Sequence, residues 1–162
     1  MTSRFATEGS THHDRSMPPR IYSIGYEGLE LPGLIDHLKS AKVAKVFDVR
    51  LTPVSRRKGF SRKTLSAALE QAGIDYVHDK SLGNPPDNRE SFRRGDGEEG
   101  RRHMRELLTN GSGPALQRLV EEAREQRVAV LCVEREEVRC HRKVITDMAR
   151  EYDPTIEVWP IL

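Results

Sequence analysis

The chain lacks most features that would place it in a specialised class. Two cysteines in 162 residues are too few for a disulfide framework. No apolar run approaches the length that a membrane span requires. The opening stretch, MTSRFATEGSTHHDRSMPPR, has no apolar core of the kind an export signal needs. Two thiols without such a signal point to a reducing cytoplasmic setting. A net charge of +2 is too mild to argue for nucleic-acid binding by itself. No internal repeat divides the sequence, and nothing in it suggests a second domain.

What remains is the composition of a folded domain. The sequence is 36% hydrophobic and 32% charged, and a chain of this length can bury a core without metal or disulfide staples. Residues 1–18 are rich in Ser, Thr and His and lack periodicity, so a disordered arm is expected there. Residues 19–162 are expected to form a single α/β domain.

Strand and helix patterns alternate along that domain. Ile21–Ile24, Val43–Val49, Ile74–Val77, Val128–Val133 and Ile156–Ile161 read as strands. Val128–Val133 is continuously apolar, as a strand covered on both faces must be, and Pro160 puts the last strand at an edge. Between the strands, three sets repeat at helical spacing. They are Leu31, Leu34, Ile35 and Leu38, then Leu65, Ala68, Leu69 and Ala72, then Leu116, Leu119, Val120 and Ala123. A further helix is expected over about Val138 to Glu151, and Met104, Leu107 and Leu108 suggest a short one ending near Asn110-Gly111. The stretch Lys80 to Arg102 reads as a long polar loop, either solvated or closing over a site as a lid. The alternation predicts a three-layer α/β fold, with a mostly parallel sheet and helices on both faces.

Ligands in open α/β sheets bind beyond the carboxyl ends of the strands. That rule selects Gly25 and Tyr26 after the first strand and Asp48 and Arg50 at the end of the second, with Ser55, Arg56 and Arg57 beyond. It also selects Glu134 after the long apolar strand, and Cys140, His141 and Arg142 at the start of the next helix. Gly25, Tyr26, Arg50, Ser55, Arg56 and Arg142 are the candidate ligand-binding residues. The arginines offer guanidinium forks for a phosphate or carboxylate, or salt bridges to neighbouring acids. Asp48, Glu134, Cys140 and His141 are the candidate catalytic residues. Asp48 and Glu134 can divide acid and base roles or serve to orient Arg50 and His141. Cys140 is either a thiol whose pKa is lowered at a helix N-terminus or a filler of the core on a stripe with Val144 and Met148. The Cys132–Cys140 spacing fits no zinc pattern and Cys132 lies in an apolar strand, so neither metal nor other cofactor is expected.

Several of these segments together resemble a known family. Ser23-Ile24-Gly25, Asp48-Val49-Arg50 with Pro53, Ser55 and Arg56, Phe60, Leu82-Gly83, Leu131-Cys132-Val133-Glu134 and Cys140-His141-Arg142 are similar, in order and spacing, to the motifs of the domain of unknown function 488 family. The likeness runs from about Ile21 to Leu162. Tyr26 and Asn84 depart from the family pattern, Asn84 standing in place of a second glycine. The resemblance implies a Rossmann-like fold and supplies no activity.

The sequence therefore points to an enzyme or ligand-binding domain for a small anionic, phosphate-bearing molecule, such as a nucleotide or sugar phosphate. Two alternatives stand beside it. One is a nucleic-acid-associated protein whose arginines grip backbone phosphates. The other is a thiol redox or sulfur-transfer protein, which would need an exposed Cys140. No membrane partner is expected.

Overall fold

The computed structural model describes residues 16–161, so residues 1–15 of the expected arm lie outside the described part. Strands β1 (Arg20–Gly25), β2 (Lys45–Asp48), β3 (Asp75–His78), β4 (Val128–Cys132) and β5 (Glu157–Ile161) form one sheet in the order β3-β2-β4-β1-β5. Every pairing is parallel. All five strands fall where the apolar runs predicted them, and Pro160 does sit on an edge strand.

The sheet is covered on both faces, as its continuous apolar strands require. Helices α1 (Leu31–Ser40) and α2 (Arg62–Gln71) cover one face. There Leu34, Leu38, Leu65 and Leu69 pack on Tyr22, Ile24, Val46, Ala129 and Leu131. The other face carries α4 (Gly97–Gly111), α5 (Gly113–Glu125) and α6 (Arg142–Tyr152). Met104, Leu108, Leu119, Val120, Val144 and Ile145 meet Ile21, Phe47, Val128 and Val130 there. Alternate residues of β4 serve opposite cores, which is the period of two that a buried strand must show. Helix α2 closes at Gly73, whose φ of 76° lies in the left-handed region that glycine enters without steric cost. No helix among the described residues is long and apolar enough to cross a membrane.

The expected loop from Lys80 to Arg102 is largely helical instead. Helix α3 (Pro86–Arg93) starts with proline in its first turn, and α4 follows after a three-residue break. Asp96 caps α4 by accepting from the Glu99 N–H at 3.1 Å. Asp96 and Glu99 have the spacing of a capping box, a start signal hidden among many charges. The buried stripe of α4 is Gly100, Met104 and Leu108, and its first member is a glycine packed against Phe92. Helix α3 is held by a polar contact: Asn88 donates through Nδ2 to Asn84 Oδ1 at 2.7 Å and to the Gly100 carbonyl at 2.9 Å. Asn84 is thus the clamp for α3.

The C-terminal ends of the strands align in one row, with Gly25 opposite Cys132, Asp48 opposite Leu131, and Asp48 opposite His78. The loops after β1 and β2 lead to helices on one face. The loop after β4 leads to α6 on the other. Between them a crevice opens.

Candidate functional site

The crevice encloses about 650 Å³, the size of a small-molecule site. Its walls come from four parts of the chain. Glu27 and Gly28 follow β1, Arg50 to Thr52 and Val54 follow β2, Cys132 ends β4 with Val133 to Glu136 and Arg139 to His141 beyond it, and Asn84, Arg89, Phe92 and Arg93 come from α3 and the segment before it.

Two charge systems meet at this end of the sheet. The first is closed. Asp48 is fully buried at the end of β2 and takes Arg50 in a two-pronged pair, Nε to Oδ1 at 2.8 Å and Nη2 to Oδ2 at 2.6 Å. Nη1 of Arg50 donates to the Phe60 carbonyl at 2.7 Å and to the Tyr26 hydroxyl at 3.2 Å. The Tyr76 hydroxyl donates to the second Asp48 oxygen at 2.5 Å. His78 Nε2 donates to the Arg50 carbonyl at 2.7 Å, since that oxygen can only accept. Tyr26 stacks on Phe60 with centroids 4.3 Å apart. Burial works to lower the Arg50 pKa, but Asp48 outweighs it and the guanidinium is held charged. Burial, reinforced by Asp48, pushes the Tyr76 hydroxyl above the ordinary tyrosine range. Arg50 lines the crevice, yet its donors are directed at protein acceptors.

The second system is open. Among the described residues the guanidinium groups of Arg89, Arg135 and Arg139 have no hydrogen-bonded or ion-paired partner, and Arg93 has only Glu90 at 3.8 Å. Arg89 Nε is buried without an acceptor. Glu27 is engaged by the Arg135 backbone N–H at 3.1 Å, while Glu134 Oε2 is buried and unpartnered. These are the groups from which a bound anion would complete a hydrogen-bond set.

The floor between the two systems is made of sulfur and imidazole. Helix α6 starts later than expected, at Arg142. A 3-10 turn over Glu137–Arg139 precedes it, so Cys140 lies outside the helix with extended dihedrals and His141 takes the N-cap position. This turn brings Cys140 back against Cys132. His141 Nε2 donates to the Val49 carbonyl at 2.8 Å, so in the neutral ring Nδ1 carries the lone pair. That nitrogen faces Cys140 Sγ at 3.6 Å and Cys132 Sγ at 4.0 Å. The Arg142 N–H lies 3.5 Å from Cys140 Sγ. The expectation of a lowered Cys140 pKa is overturned. The residue is 2% exposed, and burial pushes its thiol well above the usual range.

The remaining candidates take other places. Arg142 is 1% exposed and does not line the crevice. It donates through Nη2 to the Glu134 carbonyl at 2.6 Å and so pins the loop after β4 from beneath. Gly25 makes room for that loop: a Cβ there would come within 1.8 Å of the Glu134 carbonyl oxygen and 2.7 Å of Arg142 Nη1. Tyr26 is buried behind Arg50. Ser55 and Arg56 lie outside the lining. The Ser55 N–H donates to Ser61 Oγ at 3.0 Å, its hydroxyl accepts from the Arg57 N–H at 3.1 Å, and Arg56 is exposed. The structure therefore gathers Arg50, Glu134, Cys140 and His141 around one crevice, with Asp48 and Arg142 buried behind its walls. Sequence reasoning missed Arg89 and Arg93 because α3 was read as loop. Arg135 stood at a strand end, and Arg139 seven residues beyond that strand, where the same positional rule could have found them.

A family model described as Domain of unknown function DUF488 matches residues 30–149. No curated protein and no solved structure matches the chain. The matched span includes Asp48-Val49-Arg50, Glu134 and Cys140-His141-Arg142, which build the walls and floor just described, and the chain belongs to the DUF488 domain family.

Proposed function

We propose that this domain binds a small phosphate-bearing anion, of the size of a nucleotide or sugar phosphate, in the strand-end crevice and acts on it there. One observation carries the reading: Arg89, Arg135 and Arg139 border a crevice of about 650 Å³, and their guanidinium groups have no protein partner among the described residues. Surface arginines are often free, but Arg89 keeps a buried Nε without an acceptor, which leaves a desolvation cost that an anion would relieve. The groups beneath supply chemistry. Glu134 can accept a proton through its unpartnered oxygen, and His141 presents a lone pair held in place by Val49. Fixed positive charge above these groups suits a substrate whose negative charge grows in the transition state.

The sulfur-transfer alternative needs an exposed Cys140, and that thiol is buried with a raised pKa. The nucleic-acid alternative is separated by salt. Calorimetric titration with inorganic phosphate, pyrophosphate, a nucleotide panel and a sugar-phosphate panel should give one-site binding that weakens only moderately with ionic strength. Tight binding of oligonucleotides, falling steeply with salt while the small anions do not bind, would replace this reading with the nucleic-acid one.

A further inference from the structure

The crevice floor carries two thiols that the anion reading does not use, beside His141; with an ion bound, the His141 lone pair goes to the ion and Glu134 remains the proton acceptor. Cys132 Sγ, Cys140 Sγ and His141 Nδ1 lie within 4.8 Å of one another, and all three residues are buried. Both cysteines are free thiols. A tetrahedral ion with metal–sulfur bonds of about 2.3 Å and metal–nitrogen bonds of about 2.0–2.1 Å would hold its sulfur and nitrogen ligands about 3.5 Å apart. The sulfur-to-nitrogen separations here are 3.6 Å for Cys140 and 4.0 Å for Cys132, within a few tenths of an ångström of that spacing, and the two sulfurs lie within 4.8 Å of each other.

Two further features fit. The Val49 carbonyl accepts from His141 Nε2 at 2.8 Å, which fixes the ring in the tautomer that offers Nδ1. The Arg142 N–H at 3.5 Å from Cys140 Sγ is placed to donate to a thiolate. We propose that Cys132, Cys140 and His141 bind a zinc-class divalent cation, with its fourth coordination position open to the crevice. The soft sulfur pair selects such an ion over magnesium or calcium. Binding replaces the two thiol protons, which leave to solvent, so two thiolates and the dication sum to zero charge. The surrounding arginines then keep their charge for an anion, and the open position can hold a water or a ligand oxygen. Sequence spacing argued against a metal because seven residues separate the cysteines. The 3-10 turn over Glu137–Arg139 removes that objection by folding the intervening segment back.

The test uses the full chain, reduced and stripped with chelator, in the absence of any phosphate, so that its outcome is independent of anion binding. Titration with Co²⁺ should give a sulfur-to-cobalt charge-transfer band and tetrahedral d–d bands that saturate at one equivalent and vanish when Zn²⁺ displaces the cobalt. X-ray absorption on the zinc-loaded wild type should show two sulfur neighbours at about 2.3 Å and light-atom neighbours at about 2.0 Å. This measurement needs no variant and stands even if Cys132→Ser fails to fold. Cys132→Ser and His141→Ala should abolish or shift the cobalt bands, whereas replacing His12 and His13 with alanine should leave them unchanged. No uptake at one equivalent, or a zinc shell without sulfur, would overturn the site. So would bands that survive in folded Cys132→Ser or depend on His12 and His13.

Discussion

Asp48–Arg50 and the Arg89–Arg135–Arg139 rim lie at the same end of the same sheet and use the same side chain, yet they differ in every physical respect. Arg50 is buried, and its donors meet Asp48, Tyr26 and Phe60. The rim guanidinium groups have no protein partner among the described residues, and Arg89 keeps a buried nitrogen unsatisfied. A satisfied buried ion pair is a structural device, costly to break and closed to ligands. Unsatisfied charge around a cavity is potential binding capacity. The contrast teaches that an arginine at a strand end becomes a ligand-site candidate only when its donors have no acceptor within the fold.

The sharpest way to break the comparison is to open the closed system. Arg50→Ala leaves Asp48 buried without its cation and should cost about 3–5 kcal/mol of folding stability. Denaturant unfolding measures this, and a loss under 1 kcal/mol would show that Asp48 finds other partners. Gly25→Ala comes next. Its Cβ collides with the Glu134 backbone, so the loop after β4 must move, at a cost of about 1–3 kcal/mol. The crevice should lose anion binding along with that stability. Retained affinity in a destabilised protein would separate the loop from the site.

Tyr76→Phe removes one donor from Asp48 and should cost about 0.5–1.5 kcal/mol near neutral pH. The hydroxyl's pKa is raised in the folded state, so its contribution is fully present below the ordinary tyrosine range and is lost as pH rises through and beyond that range. The wild type should therefore destabilise in base more steeply than Tyr76→Phe. Parallel stability–pH curves above pH 10 would contradict the assignment. The smallest effect concerns residues 1–18, whose removal should shift the melting temperature by no more than a degree or two if the arm does not dock. A drop of many degrees would show that it does.

The sequence disclosed the sheet more readily than the site. Leu34 and Leu38, Leu65 and Leu69, and the stripe from Leu116 to Ala123 are core residues at helical spacing, and Val128 to Cys132 is buried throughout. Apolar periodicity made these legible. Helix α3 escaped because its buried residues are Asn88 and Ser91, so it docks through hydrogen bonds rather than an apolar stripe. Without α3 there was no reason to bring Arg89 to the crevice. The strand-end rule located Arg50, Glu134, Cys140 and His141. It could not show that the Arg50 donors are already satisfied, because that depends on how the fold arranges Asp48, Tyr26 and Phe60 around them. Arg56 was misplaced for a similar reason: a loop sequence does not fix which way its side chains turn.

The most direct test of the contrast is one substitution read in two ways. Arg89→Ala should be followed by calorimetric titration with phosphate or pyrophosphate and, on the same preparation, by thermal melting. Binding should weaken by about 1–3 kcal/mol, or roughly 5- to 150-fold, as expected for loss of a charge-assisted hydrogen bond. The melting temperature should stay the same or rise, because an unsatisfied buried nitrogen is removed. Unchanged affinity together with a fall in melting temperature would contradict the account, since Arg89 would then belong, like Arg50, to the fold.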